Sequence, residues 1–132
     1  MTIIDKLAWI EIKDNKILST RSRGKDTFYI PGGKREAEES DHQALIREVK
    51  EELSIELVEH SIRYVGTFMA QAHGHPTGVD VKMQCYSSDY QGTIKAASEI
   101  EEVVWLGYKD CNLVSPVDQI IFDWLKSEGL LK

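Results

Sequence analysis

The chain has 132 residues, of which 42% are hydrophobic and 29% charged, a composition typical of one globular domain. The net charge of −6, from 22 acidic and 16 basic residues, argues against an extended nucleic acid as partner. No apolar run approaches the roughly 18 to 20 residues that cross a bilayer, and the N-terminus has no secretory-signal pattern. We therefore expect a single soluble, cytoplasmic domain over residues 1–132 without a membrane partner.

The first third of the chain predicts short strands. Residues 7–12 and 16–22 are strand-like runs, and the turn residues between them favour a β-hairpin. Residues 28–30 predict a third short strand, which Pro31 and the two glycines after it end.

A helix is predicted from Ser40 to about Leu53. Ser40, with Gln43 three residues later, forms the capping-box pattern that begins a helix. Leu45, Val49 and Leu53 fall within about 80° of one another on a helical wheel, so we expect this side of the helix to be buried.

The second half of the chain predicts three more strands and a second helix. The strands are expected at residues 62–69, 79–86 and 103–106. The helix begins after Ser115, has a proline at its first position and ends at Gly129. The elements together predict a mixed α/β domain.

Two pairs of residues could suggest a metal site, but neither pair has the spacing or the number of ligands that such a site needs. Cys85 and Cys111 are not in metal-ligand spacing, so we interpret them as reduced packing residues. His73 and His75 have no third ligand in suitable spacing, which favours a surface loop or a loop that contacts substrate.

Three glutamates of the first predicted helix share one side. With Leu45 at zero on the wheel, Glu48 lies near 300°, Glu51 near 240° and Glu52 near 340°, at about 100° per residue. Like charges at these spacings destabilise an isolated helix by about 0.2–0.5 kcal/mol per pair. Such a cluster of oxygen donors suits Mg²⁺ or Mn²⁺, although the cluster alone is also typical of a solvated helix face.

The spacing around these glutamates resembles the signature of the Nudix (MutT-like) hydrolases, G-x5-E-x7-R-E-U-x-E-E-x-G-U, in which U is apolar. Gly33, five residues, Glu39, seven residues and the segment 47–55 match six of the seven fixed letters and both apolar positions. Ser54 replaces the last glycine. The resemblance implies a Nudix-type α/β/α sandwich with a mixed central sheet, a Nudix helix and a C-terminal helix.

Ser54 stands where the family has a glycine that ends the helix in a left-handed conformation. A serine that keeps this conformation costs about 1 kcal/mol. The departure affects how the helix ends and leaves the carboxylates in place, so we do not interpret it as loss of activity.

The resemblance assigns the metal site to the motif. By matching positions, it implies that Glu51 and Glu52 are divalent-metal ligands, and that Glu48 is a ligand or the residue that orients and deprotonates water. The role of general base varies among relatives. The main-chain carbonyl of Gly33 is also a metal ligand in the family, and the implied cofactor is Mg²⁺ or Mn²⁺.

The resemblance also implies roles for basic residues. Arg47 and Glu39 are expected to pair and to hold the loop against the helix, the alternative for Arg47 being an exposed surface position. Lys34, Arg21 and Arg23 are placed to meet a substrate phosphate, with surface cations as the alternative reading.

Relatives often add an acid from a distant loop. Here the segment before residue 103 supplies candidates, of which Glu99 and Glu102 are preferred, and spacing does not decide between them. Trp105 is interpreted either as a core residue or as part of a pocket for the base.

The implied activity is hydrolysis of a nucleoside diphosphate linked to another moiety. The small size favours a (deoxy)nucleoside triphosphate, including an oxidised one, that is cleaved to a monophosphate and pyrophosphate. The alternatives are a dinucleotide polyphosphate, a nucleotide sugar or the 5′ end of an RNA, which the net charge of −6 makes the weakest, and a non-catalytic nucleotide sensor. Many relatives dimerise, so a homodimer remains an alternative to a monomer.

Overall fold

A computed structural model describes residues 2–132. The strands are β1 (Thr2–Trp9), β2 (Ile12–Lys13), β3 (Lys16–Ser22), β4 (Gly32–Lys34), β5 (Glu56–Leu57), β6 (Arg63–Gln71), β7 (Val79–Ser87), β8 (Tyr90–Gln91) and β9 (Ile100–Leu106). The helices are α1 (Asp41–Leu53) and α2 (Pro116–Ser127), with 3₁₀ turns at Glu59–Ser61 and Tyr108–Leu113. Across this part of the chain, no helix has the length and apolar character needed to span a bilayer.

A mixed four-stranded sheet with the strand order β4-β1-β7-β6 forms the centre of the fold. Strands β1 and β7 run parallel, with Leu7 opposite Gln84, and β4 and β6 pair with them in the antiparallel direction. A second, antiparallel sheet has the order β2-β3-β9, and β5 pairs with β8. The predicted mixed sheet is confirmed.

The two helices cover opposite faces of the central sheet. Successive side chains of a strand point to opposite faces, and along β1 Leu7 and Trp9 belong to one buried cluster while Ala8 and Ile10 belong to the other. The first cluster contains Leu45, Val49 and Leu53 of α1, and the second contains Val117, Ile121, Phe122 and Leu125 of α2. The predicted α/β/α sandwich is confirmed.

Both ends of α1 match the sequence pattern. The Gln43 amide donates to Ser40 Oγ at 3.1 Å and the Ser40 amide donates to Gln43 Oε1 at 2.9 Å, which completes the capping box. Ser54 ends the helix in the left-handed region with φ 64° and ψ 25°. Its amide donates to the carbonyl of Lys50, and its Oγ donates to the carbonyl of Lys95 at 3.2 Å.

The strand prediction is wrong at residues 28–30. This segment makes only isolated bridges to β3 and to Val114, and the strand lies four residues later, at Gly32–Lys34. A Cβ at Gly32, which has φ 144°, would overlap the carbonyl oxygen of Leu7. Gly32, one of the two glycines that predicted an end to the strand, is therefore required for the close backbone pairing of β4 with β1.

Other strand bounds also differ from the prediction. Strand β1 ends at Trp9 and begins at Thr2, because its less buried first half also pairs residue for residue with β7. Strand β9 begins at Ile100 instead of residue 103 and pairs with β3 through a register shift. Pairing partners distant in sequence, rather than local apolar content, determine these bounds.

A buried carboxylate anchors the first turn of α2. Asp118 is 0% exposed, and its Oδ2 accepts a hydrogen bond from the amide of Ile30 at 2.9 Å. Its Oδ1 has no hydrogen-bond partner among residues 2–132. Burial raises the pKa of Asp118 to about 7, because the charged form loses its hydration.

Asp118→Asn should change how stability depends on pH. The raised pKa means that the folded chain holds one proton more than the unfolded chain between about pH 4 and pH 7. In this range Asp118 ionises in the unfolded chain and stays protonated in the folded chain. The free energy of unfolding therefore falls as pH rises, by up to about 1.4 kcal/mol per pH unit. The asparagine variant has no carboxyl group here and does not lose stability in this way. The difference between its melting temperature and that of the wild type should therefore increase as pH rises. Parallel curves for the two proteins would contradict the burial argument.

Ser54→Gly should stabilise the protein. Glycine adopts the left-handed conformation without the penalty of a side chain, so we expect the free energy of unfolding to rise by about 0.5–1 kcal/mol in urea titrations. Ser54→Ala, which keeps a Cβ and loses the hydroxyl, should show no increase. Equal stabilities of the glycine and alanine variants would mean that Ser54 is not strained.

Candidate active site

A cleft of about 280 Å³ opens between β1, β4, α1 and the loop before β9. Its lining includes Lys6, Gly33, Lys34, Glu48, Glu52 and Glu99. Helix α1 presents Glu48 and Glu52 one turn apart, beside the buried Leu45, Val49 and Leu53. Five of the candidate site residues therefore line a single depression.

Glu52 is the buried acid of this cleft. It is 8% exposed, and its Oε1 accepts a hydrogen bond from the Gly32 amide at 3.0 Å. Burial raises the pKa of Glu52 to about 8, and the neighbouring carboxylates of Glu48 and Glu99 act in the same direction. Without a cation nearby, Glu52 is therefore largely protonated at neutral pH.

Glu48 lies directly against the backbone of Gly33. A Cβ at Gly33 would come within 2.5 Å of Glu48 Cδ, so a larger residue here would displace this carboxylate. Partial burial raises the pKa of Glu48, although its ion pair with Arg47 opposes the rise. Gly33 thus lets the backbone of β4 approach the carboxylate of Glu48 closely in this chain.

Arg47 joins the loop after β4 to the acids of α1. Its Nε and Nη2 bind the two carboxylate oxygens of Glu39 at 2.6 and 2.8 Å. Its Nη1 binds Glu48 at 2.9 Å and Glu51 at 3.1 Å, and Nη2 donates to the carbonyl of Lys34 at 3.1 Å. The hydrogen bonds from Arg47 lower the pKa of Glu39 to about 2. The structure thus brings the two members of the predicted pair into contact.

The oxygen donors of the cleft have the chemistry that a hard divalent cation prefers. Within residues 2–132, however, no group of three or more His, Cys, Asp or Glu side chains is arranged to hold a metal ion. The reason is that Arg47 holds Glu48 and Glu51, while Glu52 is bonded to a backbone amide. To bind such an ion, Glu48 and Glu51 must release Arg47, and Glu52 must lose its proton.

The two candidates for the distant acid lie in different places. Glu99 lines the cleft, whereas Glu102 is not part of its lining. Glu102 Oε1 accepts from Arg21 Nε at 3.1 Å, because these residues are opposite each other on β9 and β3. Thr20 and Ser22 of β3 line the cleft, so Arg21 between them lies on the other face of the strand.

Arg23 and Trp105 do not line the cleft either. The Arg23 amide donates to the carbonyl of Glu99 at 2.9 Å and its guanidinium to the carbonyl of Ser98, so Arg23 holds the loop that carries Glu99. Trp105 is opposite Leu18 across β3 and β9 and packs against the buried cluster beneath α1.

A second cleft, of about 240 Å³, adjoins the first. The two clefts share Lys6, Tyr29, Lys34 and Met83. The remaining lining is mainly apolar on one side, and His73 and His75 of the β6–β7 loop form part of the other. The acids of the whole depression therefore lie at one end, whereas the other end has no acid among the described residues and combines apolar side chains with the polar Gln71, His73, His75 and Ser115.

Sequence reasoning missed Lys6 and Asp118. Lys6 lies between Ile4 and Ala8 on the same face of β1. A charged residue in this otherwise apolar face is the signal that could have identified it. Asp118 has no comparable signal, because an acid in the first turn of a helix is ordinary.

The NUDIX domain family model matches residues 7–125 of the chain. "Uncharacterized Nudix hydrolase YvcI" of Bacillus subtilis (strain 168) is 30% identical over 121 residues, which cover 89% of this chain and 77% of the relative. CTP pyrophosphohydrolase of Escherichia coli (strain K12) is 33% identical over 110 residues, which cover 80% of this chain and 76% of the relative.

Solved structures show the same fold. The E. coli ORF135 protein superimposes with a TM-score of 0.74 and 28% identity, covering 96% of this chain and 91% of that chain. The MutT protein from Methanosarcina mazei Go1 superimposes with a TM-score of 0.75 and 19% identity, covering 97% and 96%. Because the family model matches most of the chain, including α1 with its acids, this chain belongs to the Nudix family and is a hydrolase of pyrophosphate bonds.

Proposed function

We propose that the chain is a Mg²⁺- or Mn²⁺-dependent pyrophosphohydrolase that cleaves a (deoxy)nucleoside triphosphate, canonical or oxidised, to a monophosphate and pyrophosphate. The observation that carries the proposal is the continuity of the two clefts through Lys6, Tyr29 and Lys34. The acidic cleft suits metal-bound phosphates, and the second cleft, with no acid in the described part of its lining and a mixed apolar and polar character, suits a base. Both are small, which favours a single nucleotide over a substrate with a bulky second moiety.

The relatives support the same class of substrate. The E. coli relative at 33% identity is named CTP pyrophosphohydrolase, and its name describes the cleavage of a nucleoside triphosphate. The net charge of −6 opposes an extended RNA or DNA. We infer that residues 1–132 act as one domain in the cytoplasm on small nucleotides.

Nudix hydrolases generally use divalent metal ions. In this chain the residues that would hold the ion are Glu48, Glu51, Glu52 and the carbonyl of Gly33, with Glu99 preferred to Glu102 as the further acid because Glu99 lines the cleft. When bound, the ion lowers the pKa of water and neutralises phosphate oxygens.

The protein's own groups then handle the proton and the orientation of the substrate. Glu48 lines the cleft beside Glu52, so we assign Glu48 as a ligand or as the group that orients and deprotonates the attacking water. Lys34 contacts the phosphates, and Arg47 with Glu39 fixes the loop and helix that carry the acids. We assign Arg21, Arg23 and Trp105 to positioning and packing around the Glu99 loop.

A substrate panel tests the proposed function. It should include the ribonucleoside and deoxynucleoside triphosphates, oxidised triphosphates, dinucleotide polyphosphates, nucleotide sugars and 5′-triphosphate RNA, each with Mg²⁺ and with chelator. We expect a triphosphate to be the fastest substrate and pyrophosphate, not phosphate, to be released. A nucleotide that raises the melting temperature while no member of the panel is hydrolysed would instead identify a sensor.

Glu51→Gln and Glu52→Gln should each reduce metal-dependent turnover on the order of 100-fold or more, because each removes an anionic metal ligand. The melting temperature should not fall in Glu52→Gln, because the buried carboxyl becomes a neutral amide of the same shape. The exposed Glu56, which pairs with Lys50 outside the cleft, provides the control variant Glu56→Gln. Turnover within about threefold of the wild type in both cleft variants would show that the metal assignment is wrong.

A further inference from the structure

Lys6 occupies the boundary between the two clefts. It is one of the few side chains that line both of them, and it reaches the boundary from the centre of β1. Its ammonium lies over the ring of Tyr29, 5.8 Å from the ring centroid. This cation–π contact fixes the direction of the side chain while leaving the ammonium hydrogens available.

The ammonium of Lys6 has no anionic partner in the described residues. Across residues 2–132 no carboxylate lies within the 4.0 Å of an ion pair, and no acceptor forms a hydrogen bond with it. The charged groups that face it are Asp118 from α2, Lys34 from β4, and Glu48 and Glu52 from α1. Burial lowers the pKa of Lys6 because the ammonium has lost part of its hydration.

Lys34 is the direct neighbour of Lys6. The two residues are opposite each other in the antiparallel register of β4 and β1, and both line both clefts. Like charges directly opposite each other on neighbouring strands are unfavourable. Lys34 also forms no ion pair with any residue of the described chain. Two such ammonium groups at one position favour a shared anion between them.

The position identifies which anion this is. In a nucleotide with its base in the second cleft and its terminal phosphates at the acids, the sugar and the phosphate attached to the nucleoside lie between the two, and only this phosphate is anionic. This phosphate is the part of the substrate that meets the two lysines. The acids on the other side bind phosphate only through a metal ion, so the lysines supply the direct contact.

We propose that Lys6, together with Lys34, binds the phosphate attached to the nucleoside and thereby determines where along the two clefts the scissile bond lies. The proposal rests on the proposed function. Lys6 is a substrate-contacting residue here, and Tyr29 is the positioning residue that holds its side chain.

The test compares Lys6→Met with Lys6→Arg and with Lys82→Met, a control on β7 outside both clefts. Binding of the four nucleoside 5′-monophosphates and of the matching nucleosides is measured by calorimetry for each protein. We expect Lys6→Met to weaken monophosphate binding by about tenfold and leave nucleoside binding unchanged, and Lys6→Arg to retain most of the affinity. With the fastest triphosphate, KM should rise in Lys6→Met by a similar factor.

If Lys6→Met weakened the binding of monophosphates and of nucleosides equally, the proposal would be overturned, because Lys6 would then only shape the second cleft. Monophosphate affinity within about twofold of the wild type, or a wild type that binds no monophosphate, would overturn it as well. A wild type that hydrolyses no triphosphate refutes the proposed function, whereas a preference for monophosphate over nucleoside that depends on Lys6 still supports the lysine pair.

Discussion

The guanidinium of Arg47 holds together the parts of this protein that would otherwise repel each other. It binds the carboxylates of Glu39, Glu48 and Glu51 and the carbonyl of Lys34, all between 2.6 and 3.1 Å. Through these contacts the loop after β4 is fixed to α1, and Gly33 is brought against Glu48. Glu36 Oε1 also lies 3.4 Å from Arg47 Nε. The geometry of the cleft thus depends on one cation that pairs with four acids, and its loss would leave them uncompensated.

The same arrangement leaves a deficit of positive charge. Arg47 compensates the acids on the outer side of α1, but Glu52 lies deeper and has a backbone amide as its hydrogen-bond partner. Burial raises its pKa to about 8, and the carboxylates of Glu48 and Glu99 add to the rise. A divalent ion and a polyphosphate would bring matching charges to the acids that line this cleft. Lys6 and Lys34 lie where the acidic cleft meets the second cleft, which within residues 2–132 has no acid in its lining.

The sequence predicted local features well and distant contacts poorly. The N-terminal cap of α1, its buried face and the glutamate spacing depend on neighbours a few residues apart, and all could be read directly. The left-handed end of α1 followed from the family resemblance. Strand β4 could not be predicted, because Gly32 serves a close backbone contact with β1 rather than a turn. The burial of Asp118 depends on the amide of Ile30, 88 positions away, and no local pattern reports such a partner. The choice of base lies in side chains from several elements, and for that reason the motif does not specify it.

The most direct test of a cation site at the acids of α1 is titration of the metal-free protein with Mn²⁺ at neutral pH, by calorimetry in buffers that differ in ionisation enthalpy. We expect the wild type and Glu56→Gln to bind the ion and release protons, because the ion replaces the proton on Glu52. Glu52→Gln should bind at least about tenfold more weakly and release no protons. Equal affinities for wild type and Glu52→Gln, with no proton released by either, would contradict the claim that the acids of α1 form a cation site.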